Sequence, residues 1–262
     1  MSMYEFPAEN HIDEVNLLCF DKIATEFDDR EHMTCRNFDV CTEKFLNTLV
    51  KKIALPDEFR YLDVGVGTGK SLESKIGDSG SMLFADYLYR ANGELEVIDI
   101  SKKMIDITKG KFTHNEIDYH ALSIFQFRPQ RKYDLIVASM CAPFLTPSFL
   151  SKVYDELLEN RGTLLISYPA GEYIDNTRED RLKATFKDKI GNKWESYSFY
   201  WDNNHLLDKL MKIGFSIIFK ESIMLSELSK LVECRYLNEK SLEILKTKGD
   251  SSFCDCVIVQ KP

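Results

Sequence analysis

The amino-acid sequence predicts an α/β fold, in which helices cover both faces of a mostly parallel sheet with an antiparallel last strand. Short apolar runs alternate with segments of helical spacing, which is the pattern of a parallel sheet. Each run is continuously apolar, as strands buried on both faces are. The chain ends with a helix, a strand, a connector and another strand, so we expect the sheet to finish with an antiparallel pair.

The predicted elements follow from these patterns in chain order. A helix with one apolar stripe covers 39–53, and Pro56 separates it from the first strand. The predicted strands are 59–64, 95–98, 117–122, 133–138, 163–168, 215–221 and 253–260, of which 117–122 has the weakest pattern. Helical spacing is found at 102–111, 149–158, 203–213 and about 226–246.

Composition bounds the partners and the compartment. The 262 residues, 44% of them apolar and 29% charged, suit one large globular domain covering 1–262. A net charge of −8 without a block of lysine or arginine disfavours nucleic acid, so small molecules, peptides or proteins are the expected partners. The longest apolar runs are too short to span a membrane, and the acidic start MSMYEFPAENHIDE is unlike a signal peptide. We therefore expect a cytoplasmic protein.

The cysteines give no sign of a metal site. The chain has seven cysteines, none in a C-x-x-C pattern, and no histidine pair at metal-ligand spacing. Cys254 and Cys256 lie in an alternating run that places both on one face of a strand. We interpret them as small buried side chains, with a redox or metal role as the alternative.

The stretch YLDVGVGTGKS, residues 61–71, decides between classes of nucleotide site. A phosphate-binding loop needs G-x-x-x-x-G-K-[ST], and its first glycine would fall at Val64. A dinucleotide fingerprint needs G-x-G-x-x-G, and its third glycine would fall at Lys70. A compact G-x-G-x-G after a strand-terminal Asp63 lets the backbone turn tightly against a ligand before a helix begins. The spacing therefore favours a nucleoside cofactor.

This compact turn, preceded by Leu-Asp-Val, resembles motif I of the class I S-adenosylmethionine-dependent methyltransferases. Other segments resemble further elements of that family in the same order: FDKIATEFD (20–28) its N-terminal covering helix, LEVIDISKKMI (95–105) its second strand, KYDLIVASM (132–140) its fourth strand, LLENRGTLLIS (157–167) its helix–turn–strand, and LLDKLMKIGFSIIFKES and FCDCVIVQKP its last helix and strands. The resemblance covers nearly the whole chain. It implies a Rossmann-like three-layer sandwich with seven strands and S-adenosylmethionine as cofactor.

The same resemblance gives the domain organisation and the ribose contact. An N-terminal helical cover is expected at 1–55, and the charged and aromatic stretch 171–202 looks like an insertion near the substrate site. Asp99, after the second strand, is expected to accept both ribose hydroxyls, since a carboxylate accepts hydrogen bonds and donates none. Asp86 is the rival, because Asp99 lies 30 residues beyond Gly69 where about 20 are usual. We prefer Asp99, with 77–93 as an insertion that lengthens the first helix.

The remaining cofactor contacts are also carried over from the family. Many members place an aspartate after the third strand to hold the adenine amino group, but YHALSIF (119–125) has no carboxylate. Backbone N–H groups of Leu122 and Ser123 are expected to replace it, and His120 either contributes or is structural. The cofactor-binding set implied by the resemblance is Phe20, Phe27, Asp63, Gly65, Gly67, Thr68, Gly69, Asp99, Ile100, Met104, Leu122, Ser123 and Ser139.

Methyl transfer from a sulfonium is an in-line displacement for which the cofactor supplies the electrophile. The protein aligns the reactants, so the sequence leaves the catalytic residue unknown, with His120, Tyr197, Tyr200, Asp202 and His205 as candidates.

Two stretches remain open in their interpretation. WESYSFYWDNNH (194–205) is a half-buried strand or a substrate-facing aromatic wall, and CAPFL (141–145) is a substrate contact or a turn. We predict methyl transfer to nitrogen or oxygen of a small molecule. The alternatives are a protein or peptide acceptor, or a non-methylating regulatory protein that binds S-adenosylmethionine.

Overall fold

The computed structural model describes residues 7–28, 33–77, 80–113, 116–171, 173–174, 182–199, 203–231, 239–247 and 249–262. The strands in these ranges are β1 (Phe59–Val64), β2 (Lys75–Ile76), β3 (Met82–Leu83), β4 (Gly93–Asp99), β5 (Ile117–Ala121), β6 (Tyr133–Ser139), β7 (Leu158–Pro169), β8 (Lys183–Lys187), β9 (Lys193–Tyr197), β10 (Ser216–Met224) and β11 (Ser252–Gln260). The helices are α1 (Glu9–Ile23), α2 (Met33–Lys52), α3 (Lys70–Glu73), α4 (Phe84–Arg90), α5 (Lys102–Lys111), α6 (Ser148–Lys152), α7 (Asn203–Ile213), α8 (Leu225–Leu231) and α9 (Glu239–Thr247).

Seven strands form one sheet in the order β10-β11-β7-β6-β1-β4-β5. The pairs from β7 to β5 are parallel, whereas β11 runs antiparallel to both β7 and β10. This confirms the predicted Rossmann-like sheet and its antiparallel last strand. The chain fills one side of β1 with β4 and β5 and then returns to β6 on the other side. Open α/β sheets bind ligands at the carboxyl ends of the strands beside such a reversal.

Both faces of the sheet are buried, which explains the continuous apolar runs. On β1, Tyr61 packs into one apolar cluster and Leu62 into the other, and Leu165 and Ile166 of β7 divide in the same way. Helices α2, α4, α5, α8 and α9 contribute to the first cluster, and α6 and α7 to the second. The central strands therefore offer alternate residues to two apolar layers, whereas the edge strand β10 is largely exposed.

The predicted lengthening of the first helix by 77–93 is wrong. Helix α3 has only four residues, and the antiparallel pair β2–β3 follows it before α4. The backbone of Gly77 has φ +85° and that of Gly80 φ +56°, so two left-handed glycines turn the chain between these short strands. Asp86 lies on this separate helix, α4.

The strand predicted at 163–168 begins earlier than its apolar run, at Leu158. The expected turn at 160–162 is an irregular part of β7, where Arg161 has φ +66°. Its N–H donates to the carbonyl of Lys261 at 2.8 Å, and the N–H of Lys261 donates to the carbonyl of Gly162 at 3.0 Å. The C-terminal end of the chain therefore extends β7, and no local pattern of residues reveals that pairing.

Within the stretch 171–202, β8 and β9 form a separate two-stranded sheet. Of the possible strand within 194–205, the structure shows only the beginning, because β9 ends at Tyr197. Phe199, beyond the strand, is buried. The hairpin lies next to α1, and both border the cavity described below.

Candidate functional site

The three glycines of the turn between β1 and α3 have two different roles. All three have positive φ, between 56° and 88°, which glycine adopts without strain. A Cβ on Gly65 would lie 2.4 Å from the Cβ of Cys141, and one on Gly69 would lie 2.9 Å from the ring of Phe112. A Cβ on Gly67 would meet no atom within 4 Å. Gly65 and Gly69 therefore permit close packing, while Gly67 faces open space.

Asp99 ends β4 beside this turn and is 9% exposed. Its Oδ1 accepts the N–H of Ser101 at 2.8 Å, and its Oδ2 accepts the N–H of Gly67 at 2.9 Å. Burial raises the pKa of Asp99 to about 6, against the opposing effect of these two bonds, and the carboxylate of Asp21 adds to the rise. The carboxylate is held rigidly and keeps lone pairs for further donors.

Asp63 lies on the adjacent strand β1 and is 1% exposed. Its Oδ2 accepts the hydroxyl of Tyr61 at 2.8 Å and also the hydroxyl of Ser71. Burial raises the pKa of Asp63 to about 7, and the nearby charge of Asp99 contributes to the rise. Among the described residues, neither carboxylate forms an ion pair with a cationic side chain. The two strand ends therefore carry buried carboxylates that lack a counter-charge.

A cavity of about 860 Å³ opens at the carboxyl ends of β1, β4 and β6, and its volume lies in the range of small-molecule sites. Of the residues predicted to bind the cofactor, Gly69 does not line it, because its Cα faces Phe112 and Thr108. The predicted residues that do line it are Phe20, Phe27, Asp63, Gly65, Gly67, Thr68, Asp99, Ile100, Met104, Leu122, Ser123 and Ser139.

The two rivals for the ribose contact lie in different places. Asp99 lines the cavity, whereas Asp86 lies half-buried on α4 and is not among the lining residues. The geometry favours Asp99, and the ribose contact itself stays a prediction.

Helix α1 covers the cavity and is fastened to both of its walls. The ring of Phe20 packs edge-on against Phe144, with centroids 5.0 Å apart, and against Phe186 of β8 at 5.7 Å. The buried amide of Asn16 donates to the carbonyl of Phe144 at 3.1 Å and accepts the N–H of Tyr197 at 2.8 Å. One side chain therefore joins α1 to the 141–145 segment and to β9.

Beyond α1, ionic contacts tie the chain to the glycine turn. Asp28 accepts the hydroxyl of Thr68 at 2.6 Å and lies 2.7 Å from the amino group of Lys111. The amino group of Lys70 lies 3.4 Å from Asp28 and 3.3 Å from Asp39. Although burial opposes it, the bonds from Lys111 and Thr68 lower the pKa of Asp28. Lys70, which made the sequence look like a phosphate loop, thus serves this group of five residues, the Asp28 cluster.

The structure does not bring the candidate catalytic histidines into the cavity. His120, on β5, has its Nε2 3.0 Å from Oε2 of Glu96, and His205 is exposed on α7. Neither lines the cavity. Tyr200 and Asp202 lie outside the described residues.

In its described part, residues 194–199, the aromatic stretch that begins at Trp194 contributes less to the cavity than its composition indicates. Trp194 and Tyr197 are not among the lining residues, whereas Phe186 of the partner strand is. The indole N–H of Trp194 donates to Asp188 at 3.3 Å, and the ring of Tyr197 packs against His11 with centroids 5.8 Å apart.

Sequence reasoning missed Asp13, which lines the cavity from α1. Burial raises the pKa of Asp13, while a hydrogen bond with the side chain of Ser123 lowers it. The contact places a carboxylate at the end of β5, where the sequence itself has none. The helical periodicity of α1 could have indicated Asp13, because it places Asp13 on the same side of the helix as the buried Ile12 and Asn16.

Other site types find no support in the described ranges. These residues contain no group of three or more histidine, cysteine, aspartate or glutamate side chains that could hold a metal ion. In the same part of the chain, every helix is too short or too polar to cross a membrane. Cys254 and Cys256 are both buried in β11, and burial raises the pKa of each thiol.

Solved structures share this fold. The DhpI–SAM–HEP complex superposes with a TM-score of 0.60 at 12% identity, over 98% of this chain and 100% of that chain. The 1,6-didemethyltoxoflavin-N1-methyltransferase of Burkholderia thailandensis, with bound 1,6-didemethyltoxoflavin and S-adenosylhomocysteine, gives 0.54 at 12% identity, over 98% and 92%. The [4+2]-cyclase SpnF gives 0.55 at 14% identity, over 84% and 81%.

No protein-family model and no curated protein sequence matches this chain. The structural likeness shows that the chain has the Rossmann-like fold of S-adenosylmethionine-dependent methyltransferases.

Proposed function

We propose that this protein is an S-adenosylmethionine-dependent methyltransferase that methylates nitrogen or oxygen of a small molecule. The observation that carries the proposal is the pair of buried carboxylates, Asp63 and Asp99, which face one cavity beside Gly67. Burying a carboxylate without a counter-charge is unfavourable, so the site suits a ligand that brings hydrogen-bond donors and positive charge. S-adenosylmethionine brings ribose hydroxyls, an ammonium and a sulfonium.

The residues present fit each part of that cofactor. Asp99, already fixed by two backbone N–H groups, would accept the ribose hydroxyls. Gly67 leaves open space in which a ligand can approach the backbone closely. Asp63 would hold the ammonium of the amino-acid part, since this buried carboxylate has no other counter-charge among the described residues.

The part of the cavity beside the ends of β4 and β5 suits the adenine ring. Ile100 and Leu122 directly follow these strands, Met104 lies on α5, and all three line the cavity with apolar side chains that can pack on a planar base. Asp13, hydrogen-bonded to Ser123, would accept the adenine amino group. It would thereby replace the aspartate that the family usually places after the third strand.

When bound, the cofactor supplies a methyl group activated by the positive sulfonium. The chain contributes position and exclusion of water. Phe20, Phe144 and Phe186 pack together over the cavity, so they keep water from the reacting atoms. Asn16 fixes α1 against both walls, and this holds the two reactants in line.

A small acceptor is supported by the enclosure of the site. Helix α1 and the β8–β9 hairpin both line the cavity, so together they limit the space open to a folded protein or a peptide. The structurally similar Burkholderia thailandensis enzyme is named as a methyltransferase of 1,6-didemethyltoxoflavin, a small molecule. A non-methylating role is the second candidate, because the similar SpnF is a [4+2]-cyclase.

Calorimetric titration with S-adenosylhomocysteine tests the cofactor site. Wild-type protein should bind, and Asp99→Ala or Gly67→Arg should abolish binding, because the first removes the ribose acceptor and the second fills the open space. Asp86→Ala is the matched control and should bind normally, since Asp86 does not line the cavity. Binding of ATP in place of S-adenosylhomocysteine would refute the proposal. Binding lost in Asp86→Ala and kept in Asp99→Ala would overturn the ribose assignment.

Methyl transfer is then separated from binding alone. Wild type and Asp99→Ala are incubated with methyl-labelled S-adenosylmethionine and cell extract, and the label is followed into small metabolites and into protein. The proposal requires label in small metabolites that depends on Asp99. Label in protein would favour a protein acceptor, and binding without any transfer would favour the non-methylating role.

A further inference from the structure

The β8–β9 hairpin carries lysines to the mouth of the cavity. Lys183 and Lys187 of β8 and Lys193 of β9 all line it, together with Thr185 and Glu195. These five residues occupy alternate positions on paired strands, so their side chains share one face of the hairpin. The amino group of Lys183 is paired with Glu195 at 2.9 Å. That pairing leaves two lysines at the mouth.

Lys187 and Lys193 are direct partners in the antiparallel register. Like charges opposite each other in a sheet destabilise the pair. No carboxylate of the described ranges forms an ion pair with either lysine, and both side chains are exposed to an incoming ligand. An anion placed between them would remove their mutual repulsion. We name Lys187 and Lys193 the lysine pair.

The charges of the cavity are separated by depth. Asp63 and Asp99 are buried at the strand ends, where they suit a cationic cofactor. The lysine pair lies at the exposed hairpin, in a chain whose net charge is −8. A local positive region of this kind attracts anions, while the carboxylates beneath repel them. An anionic group would therefore be held at the mouth and kept out of the cofactor site.

The hairpin is braced, so the position of the lysine pair is fixed. Asp188 accepts the N–H groups of Asn192 at 2.7 Å and Ile190 at 3.1 Å, which closes the turn. Glu26, beyond α1, accepts the N–H of Lys189 at 2.8 Å. These bonds stabilise the turn internally and attach it to the segment that follows α1.

We infer that the methyl acceptor is a small anion whose acidic group, carboxylate or phosphate, binds between Lys187 and Lys193. This inference rests on the proposed function, because it identifies the occupant of the outer cavity as the acceptor.

Ligand-observed NMR titration tests it with benzoate, its neutral isostere benzamide, the cation benzylamine, and phenyl phosphate. The protein is wild type, Lys187→Gln/Lys193→Gln, or the control Lys102→Gln/Lys212→Gln, whose two lysines are exposed and pair with aspartates away from the cavity. Each titration is run in phosphate-free buffer, with and without S-adenosylhomocysteine. We expect benzoate to bind wild type and the control alike, and the lysine-pair variant about tenfold more weakly, since two partly exposed charge contacts are lost.

Each outcome bears on the inference. Tighter binding of phenyl phosphate than of benzoate identifies phosphate as the acidic group, and the reverse identifies carboxylate. Equal or tighter binding of benzylamine or benzamide would overturn the inference, as would benzoate affinity that is indifferent to the lysine pair. If S-adenosylhomocysteine fails to bind while benzoate binding still depends on the lysine pair, the proposed function fails and the anion site stands.

Discussion

Binding of S-adenosylhomocysteine should be linked to proton release, because two of the carboxylates proposed to contact it, Asp63 and Asp99, are partly protonated near neutral pH in the ligand-free protein. The pKa of Asp63 is raised to about 7 and that of Asp99 to about 6, in each case by burial. An ammonium beside Asp63 and hydroxyls donated to Asp99 both favour the ionised carboxylate. The ligand therefore binds the ionised form, and lowering the pH opposes binding.

The magnitude follows from the two pKa values. At pH 6 about 0.9 of Asp63 and about half of Asp99 carry a proton, so binding should release about 1.4 protons. At pH 8 the release should fall to about 0.1. If the bound form is fully ionised, the dissociation constant should be about 20-fold weaker at pH 6 than at pH 8.

Calorimetry at each pH, in two buffers with different ionisation enthalpies, measures the protons released. Adenosine is the matched ligand: it keeps the ribose but lacks the ammonium, so at pH 6 it should release only about 0.5 proton. Asp63→Asn should lower the release with S-adenosylhomocysteine to the same value. The groups that face Asp63 are Tyr61, Ser71, Asp99 and the buried Cys141 thiol. Of these four groups, only Asp99 titrates between pH 6 and 8. Affinity that is equal at pH 6 and pH 8 would refute this reasoning.

Two further predictions concern the folding of the site. Gly65→Ala should lower the free energy of unfolding by about 1–3 kcal/mol, because its Cβ would collide with Cys141 at positive φ. Gly77→Ala, also at positive φ but in open space, should cost about 1 kcal/mol in the same urea denaturation, and equal losses would contradict the steric account. Asn16→Ala should lower stability by about 1–3 kcal/mol, because the carbonyl of Phe144 and the N–H of Tyr197, both partly buried, lose their partner. Leu18→Ala, 64% exposed on the same helix, should be nearly neutral, and hydrogen exchange should show faster opening near Phe144 and Tyr197 in Asn16→Ala alone.

The sheet was predictable because its signal is local. A strand buried on both faces must be apolar at nearly every position, and that run is visible in Tyr133–Ser139 and Ser252–Gln260 without knowledge of their neighbours. The tight glycine turn could also be predicted from the sequence, because the spacing of Gly65, Gly67 and Gly69 constrains the backbone directly.

What the sequence did not reveal depends on contacts between distant residues. Asp13 reaches Ser123 across 110 positions, and Lys261 extends β7 by pairing near Arg161. In each case the residues carry no local pattern that announces the partner. The role of Lys70 was also hidden: with Gly69 and Ser71 it imitates the end of a phosphate loop, which the glycine spacing excludes, and its contacts are carboxylates of the Asp28 cluster.

The double attachment of Asn16 has a consequence for the order of events in turnover. The same amide holds α1 to the 141–145 segment and to β9, so α1 cannot lift away without loosening the lysine-bearing hairpin as well. Opening the proposed cofactor site by lifting α1 would therefore also disturb the proposed binding site of the acceptor. The protein should therefore follow a compulsory-order kinetic mechanism, in which the nucleoside binds first and is released last.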